Sequence, residues 1–144
     1  MNALDLIKAS EGCRLTAYRD TRGVLTIGWG YTGRDVVEGM TWTQEQADTA
    51  LLERYEVACE DAAHCVGPGW GDPDQPRPAA IIDMAYNLGR IRLGMFHHMI
   101  AALQAEDWQT AEVEALSGPW HAQVGRRANR DADILLTGNW PTRA

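Results

Sequence analysis

The chain has 144 residues, 45% of them hydrophobic and 23% charged, with a net charge of −7. That is ordinary globular usage with enough length for one compact core, and it argues against disorder, repeats and general nucleic-acid binding. Three cysteines, Cys13, Cys59 and Cys65, are too few and odd in number for a disulfide scaffold, which fits a reducing compartment.

The first residues, Met1 to Lys8, mix charge into a short apolar run and read as neither a signal peptide nor a membrane anchor. Residues 3–11 are predicted helical, with Leu4, Leu6 and Ile7 on the apolar side and Gly12 in the C-cap position. From Arg14 to Arg34 the pattern changes. Leu15, Ala17, Val24, Thr26, Ile27, Trp29 and Tyr31 suggest short strands, with Asp20-Thr21-Arg22-Gly23 as the hairpin turn. Gly28, Gly30 and Gly33 alternate with Trp29 and Tyr31, a spacing that marks bends or a close approach to backbone.

Thr43-Gln44-Glu45-Gln46 forms a capping box, opening a helix of some twenty residues through Ala47, Leu51, Tyr55, Ala58 and Ala62. Gly67 to Pro73 is a loop. Pro78 starts a helix carrying Ile81, Ile82, Ala85 and Leu88 and closed by Gly89. Met95, Phe96, Met99, Ile100 and Leu103 form the next apolar stripe. Asp107 caps a segment with Trp108, Ala111, Val113 and Leu116, and a last helix near Arg126–Leu136 ends at Thr137-Gly138. The expected fold is therefore α+β and two-lobed within one domain. A β-meander lobe spans about 12–42, a connecting helix about 43–66, and a helical lobe about 77–144 with the 3–11 helix packed on it. Two lobes joined by a helix leave a cleft in which an extended polymer could lie.

Charge is unevenly placed. Eight carboxylates from Glu45 to Asp74 face only Arg54 in their stretch, whereas arginines gather at Arg14/Arg19/Arg22, Arg90/Arg92 and Arg126/Arg127/Arg130. Cys59, His64 and Cys65, with Asp61, are metal-capable types but lack the paired four-ligand pattern of a structural site, so no metal is expected there. The neighbouring His97 and His98 read as surface residues, Trp108 and Trp120 as core, and Cys13 as packing.

Glu11, Asp20 and Thr26 make the first chemical constellation. Glycoside hydrolysis uses one protonated carboxyl to assist the leaving oxygen and one ionised carboxyl to steer water or attack. Glu11, at a helix end beside the strands, would be kept protonated by burial, while Asp20 in an open turn would stay ionised. The Thr26 hydroxyl could then hold a water against Asp20. Residue types alone also allow a plain helix-end glutamate and a turn-forming aspartate.

The surrounding string is more specific. Glu11-Gly12-Cys13-Arg14-Leu15 leads into Ala17-Tyr18-Arg19-Asp20, then Gly23-Val24-Leu25-Thr26-Ile27-Gly28-Trp29-Gly30-Tyr31. Further along come Thr32-Gly33-Arg34, Gly39-Met40-Thr41-Trp42-Thr43, Ala80 to Gly89, and Trp120, Gln123, Arg127-Ala128, Arg130 and Thr137-Gly138-Asn139-Trp140. In order, these closely resemble the phage-type lysozymes of glycoside hydrolase family 24, with residues 63–76 matching poorly.

That resemblance implies an endolysin-type muramidase cutting the β-1,4 bond between N-acetylmuramic acid and N-acetylglucosamine in peptidoglycan, by inverting displacement. It gives Glu11 as the general acid, Asp20 as the catalytic carboxylate and Thr26 as the hydroxyl beside the attacking water. Arg127 would pair with the acid, and Gly30, Tyr31, Thr32, Tyr86, Asn87 and Gln123 would contact sugars. Tyr31 replaces the histidine commoner in the family, and Tyr86 could equally be core packing. The implied protein is a monomer that needs neither cofactor nor membrane insertion. It would be made in the host cytoplasm and reach the wall through a holin-type membrane lesion. A lytic transglycosylase, or a non-catalytic peptidoglycan-binding module on the same fold, are the alternatives; retention of both Asp20 and Thr26 favours hydrolysis.

Overall fold

The computed structural model describes residues 1–142, so the last two residues of the expected 77–144 segment lie outside it. Helix α1 covers Ala3–Glu11. Its N-terminus is closed by a reciprocal pair absent from the sequence reading: Asn2 accepts from the Asp5 amide and Asp5 accepts from the Asn2 amide. Gly12, at φ 62°, then turns the chain into strand β1, Arg14–Arg19, which pairs antiparallel with β2, Leu25–Gly28. The register sets Tyr18 opposite Thr26, with an irregularity between Arg14 and Tyr18. The sheet has these two strands. The third pass of the expected meander survives as isolated bridges, Thr16 to Thr41 and Ile27 to Tyr31. Gly28 and Gly30, both at positive φ, bend the chain out of extended geometry before Tyr31.

Helix α2, Gln44–Cys65, opens on the anticipated Thr43–Gln46 box, with both reciprocal bonds formed. After a 3-10 turn at Pro68–Gly71 comes α3, Pro76–Gly94. Gly89 interrupts α3 rather than ending it: at φ 81° and ψ 168° it breaks the helix, which then resumes to Gly94. Then follow α4 (His97–Gln104), α5 (Trp108–Leu116, capped by Asp107), α6 (Pro119–Val124) and α7 (Arg126–Thr137, closed by left-handed Gly138). Helix α6 is not foreseen from the sequence, though Gly118-Pro119 is a start signal, with proline at the first helical position.

Helix α3 is the axis of the core. Ala79 to Tyr86 are buried in unbroken succession, so this segment is covered on all sides rather than on one stripe. Against it pack Leu6 and Ile7 of α1, Leu51, Ala58 and Ala62 of α2, and Ala128, Ile134 and Leu135 of α7. Each fully buried leucine or isoleucine contributes roughly 2 kcal/mol. Trp120 is in the core, whereas Trp108 is half-buried beneath the Arg77 guanidinium, 3.8 Å from its ring. All three cysteines are free, and burial pushes the Cys59 and Cys65 thiols up. No helix among the described residues is long and apolar enough to cross a membrane.

Candidate active site

The end of α1, the hairpin and the middle of α3 meet at one small cavity of about 80 Å³. Glu11, Asp20, Thr26, Gly30, Thr32, Tyr86 and Asn87 all line it, and so do Tyr18, Arg22 and Arg54, which the sequence reading did not single out as site residues.

The two carboxyls sit in opposite surroundings. The Glu11 side chain is 16% exposed, and its Oε1 accepts a 2.6 Å bond from Arg127 Nη1. Asp20 is 24% exposed, and its Oδ1 accepts the backbone amides of Arg22 and Val24 at 2.8 and 2.9 Å. Burial alone would raise the Asp20 carboxyl. The two amides and the Arg22 guanidinium, 3.5 Å from Oδ2, outweigh that and hold it below the usual carboxylate range.

Val24 also fixes Thr26. The buried Thr26 hydroxyl donates to the Val24 carbonyl at 2.9 Å, so its remaining lone pairs are acceptors facing the cavity. One residue of the turn thus orients both the carboxylate and the hydroxyl. Across the strand pair, Tyr18 carries Arg14 over its ring at 4.1 Å; burial and the Glu11 charge raise its phenol.

Residues 29–30 are fastened from two helices. Trp29 Nε1 donates to Asp48 of α2 at 2.8 Å, and the Trp29 carbonyl accepts from the Tyr86 hydroxyl of α3 at 2.6 Å. Arg54 of α2 donates to the carbonyls of Gly30 and Tyr86 at 3.1 and 3.3 Å and lies 4.8 Å from the Tyr86 ring. These contacts press Gly30 against Glu11 so closely that a Cβ there would stand 2.6 Å from the Glu11 carboxylate carbon. Tyr86 is 3% exposed with its hydroxyl engaged, and burial drives its phenol up to about 12. Tyr86 is thereby a latch between α3 and the hairpin as well as part of the cavity lining. Asn87 accepts from Trp120 Nε1 at 2.8 Å; because that indole nitrogen can only donate, the Asn87 amide nitrogen keeps its two hydrogens for other acceptors.

Two other candidate contacts lie elsewhere. Tyr31 turns into a separate cavity of about 420 Å³ with Trp42, its hydroxyl 2.9 Å from Asp35 and its ring 5.2 Å from the indole. Gln123 is exposed on α6, where it accepts from Arg92 at 3.4 Å.

Arg127 is itself held. Its Nε and Nη2 donate to Asp83 Oδ2 and Oδ1 at 2.9 and 2.8 Å, in the paired geometry that a planar guanidinium and carboxylate share. Asp83 is fully buried. Burial would raise its carboxyl, but the Arg127 charge, a hydrogen bond from Asp131 and the Arg130 charge bring it down to about 2. Asp131 goes the other way: burial and the adjacent Asp83 charge push it well above the usual range. Asp83 stands in an otherwise apolar run, Ala79 to Met84, and a lone acid there is the sequence signal of a buried ion pair.

The family model described as phage lysozyme matches residues 8–130. The chain is similar to the pre-baseplate central spike protein Gp5 of Enterobacteria phage T4, with 30% identity over 96% of this chain and 28% of that protein. It is also similar to the endolysin of Lactococcus phage c2, with 35% identity over 81% of this chain and 53% of that protein. A third relative, the endolysin of Salmonella phage P22, is 29% identical over 94% of this chain and 88% of its own length. The chain therefore spans about a quarter of the first of these relatives and about half of the second.

Proposed function

The chain belongs to the phage lysozyme family, and on that premise we propose that it is a muramidase hydrolysing the β-1,4 bond between N-acetylmuramic acid and N-acetylglucosamine in peptidoglycan. The observation that carries this reading is a single cavity holding two carboxyls in opposed environments, beside a hydroxyl with free acceptor capacity. Glu11 is the proton donor to the leaving oxygen, and Asp20 is the carboxylate that stays ionised. A water accepted by Thr26 Oγ1 and donating to Asp20 Oδ2 attacks the anomeric carbon from the face opposite the leaving group, which gives inversion. The proton it sheds passes to Asp20, and the new sugar end is a reducing one.

Donation requires a protonated Glu11, whereas the Arg127 pair favours the carboxylate. Substrate entry loosens that pair, and burial under the sugar then favours the neutral acid. Gly30, Thr32, Asn87 and Tyr86 contact the reacting sugars, and Tyr31 and Gln123 contact glycan further out. The reaction needs no cofactor. The protein acts as a monomer on the wall after synthesis in the host cytoplasm, reaching it through a membrane lesion of the holin type.

The test is clearing of purified murein sacculi by the wild type and by Glu11→Gln, with mass spectrometry of the products. Clearing by the wild type, reducing-end products and at least a hundredfold loss in Glu11→Gln are expected. 1,6-Anhydro ends would overturn hydrolysis in favour of transglycosylation, and tight binding without cleavage would leave only a murein-binding module.

A further inference from the structure

Behind Glu11 lies a buried charge cluster that the chemistry above does not use. Asp83 receives two guanidiniums: the Arg127 fork on both oxygens, and Arg130 Nη2 at 2.9 Å on Oδ2. Arg130 is held in turn by the Leu6 carbonyl at 3.2 Å and Asp131 Oδ1 at 3.1 Å. Asp83 and Asp131 are both 0% exposed. Asp131 Oδ2 has no hydrogen-bond partner as a bare carboxylate. A proton on that oxygen, donated to Asp83, satisfies the orphan and removes the clash of two buried anions. Two guanidiniums, those of Arg127 and Arg130, then share the one buried carboxylate of Asp83.

Resting on the muramidase reading, we infer that Asp83 is a positioning residue that sets how firmly Arg127 holds Glu11 in its ionised form. Two of the three Arg127 nitrogens are turned to Asp83, and Nη1 alone is aimed at Glu11. Glu11 therefore faces a guanidinium that is already paired with a buried anion from behind. Arg130 and the protonated Asp131 draw on Asp83 from the far side and moderate this effect. The other groups facing Glu11 are Tyr18, Asp20, Arg22, Arg54 and Tyr86, and they are common to all the variants below.

The readout is the alkaline limb of kcat/KM against pH on murein, where the protonated acid is lost. Removing the Asp83 charge by Asp83→Asn in an Asp131→Asn background, where no neighbouring acid can ionise in its place, leaves Arg127 to Glu11 and moves the limb about one pH unit lower than in Asp131→Asn alone. Removing the competing cation in Arg130→Gln frees Asp83 for Arg127 and moves the limb upward. Opposite displacements cannot come from a merely structural role, which lowers activity without moving the limb. Limbs that stay in place, or move together, overturn the inference. If Asp83→Asn does not fold by circular dichroism, Arg130→Gln carries the kinetic test. Carbon-13 titration of the wild-type carboxyls adds a direct one, since an ionised Asp131 at neutral pH also overturns the inference. A wild type that does not cut murein overturns the muramidase reading and this inference together, whereas an active wild type with unmoved limbs overturns this inference alone.

Discussion

Gly30→Ala tests the site most directly. Gly30 sits at φ +79°, where an alanine costs about 1–2 kcal/mol in backbone strain. Its Cβ would also meet the Glu11 carboxylate carbon at 2.6 Å, against a comfortable carbon–carbon separation of about 3.5–4.0 Å. Glycine 30 cannot retreat, because Arg54 and the Trp29–Tyr86 bond hold that backbone. Glu11 must therefore move by about 1 Å, and a displacement of that size costs on the order of a hundredfold in rate. Gly39 is the control: its φ is +78°, and nothing lies within 4 Å of its would-be Cβ. Both variants should lose about 1–2 kcal/mol by urea unfolding. Gly30→Ala should lose more, through the strained Glu11–Arg127 pair, and only it should lose activity on sacculi. Gly30→Ala clearing murein within threefold of the wild type, or Gly39→Ala failing as badly, would refute the idea that backbone pressure positions Glu11.

Three further outcomes follow from the geometry. Arg127→Ala should move the alkaline limb of the pH–rate profile upward, and an unmoved profile would show that the pair does not restrain the acid. Tyr86→Phe leaves the Trp29 carbonyl without its 2.6 Å donor and should cost about 1–3 kcal/mol in urea unfolding; a neutral result would mean that water replaces the bond. The two buried aspartates have opposite linkage. Asp83, depressed to about 2, stabilises the fold above its unfolded value of 3.8 and loses that contribution as pH falls toward 2. Asp131, raised, favours folding most at low pH and progressively less as pH rises above its unfolded value. Asp131→Asn should therefore compare better with the wild type at pH 7 than at pH 3, and an equal difference at both pH values would count against a neutral Asp131.

Local punctuation carried much of the fold into the sequence. The Thr43–Gln46 box, the Asp107 cap, the Asp20–Gly23 turn and Gly138 are short-range chemistry, and each stands where the residue types place it. Gly89 shows the limit: a glycine after an apolar stripe signals a stop, but here a short helical stretch resumes beyond it, anchored in the core by Leu93 alone. The hairpin partners Asp20 and Thr26 were legible because one turn joins them. The lone acid Asp83 signals a buried pair, but its partners and the close approach of Gly30 to Glu11 were not legible, because they depend on contacts between distant segments, 47 residues apart for Asp83 with Arg130. Tyr31 illustrates a different loss. Alternation along an extended strand would set its face, but bends at Gly28 and Gly30 reset the direction of its side chain.

The bond between Glu11 and Arg127 joins residues 116 apart, so the N-terminal helix is fastened to the last one. During synthesis at about 5–20 residues per second, the two carboxyls and Thr26 emerge several seconds before their balancing arginines. A partly made chain holds the proposed reacting groups and Asp83 but not the Arg127 guanidinium that bonds to both Glu11 and Asp83. Assembly of the Glu11–Arg127–Asp83 contacts is thereby tied to docking of α7 on α1 and α3.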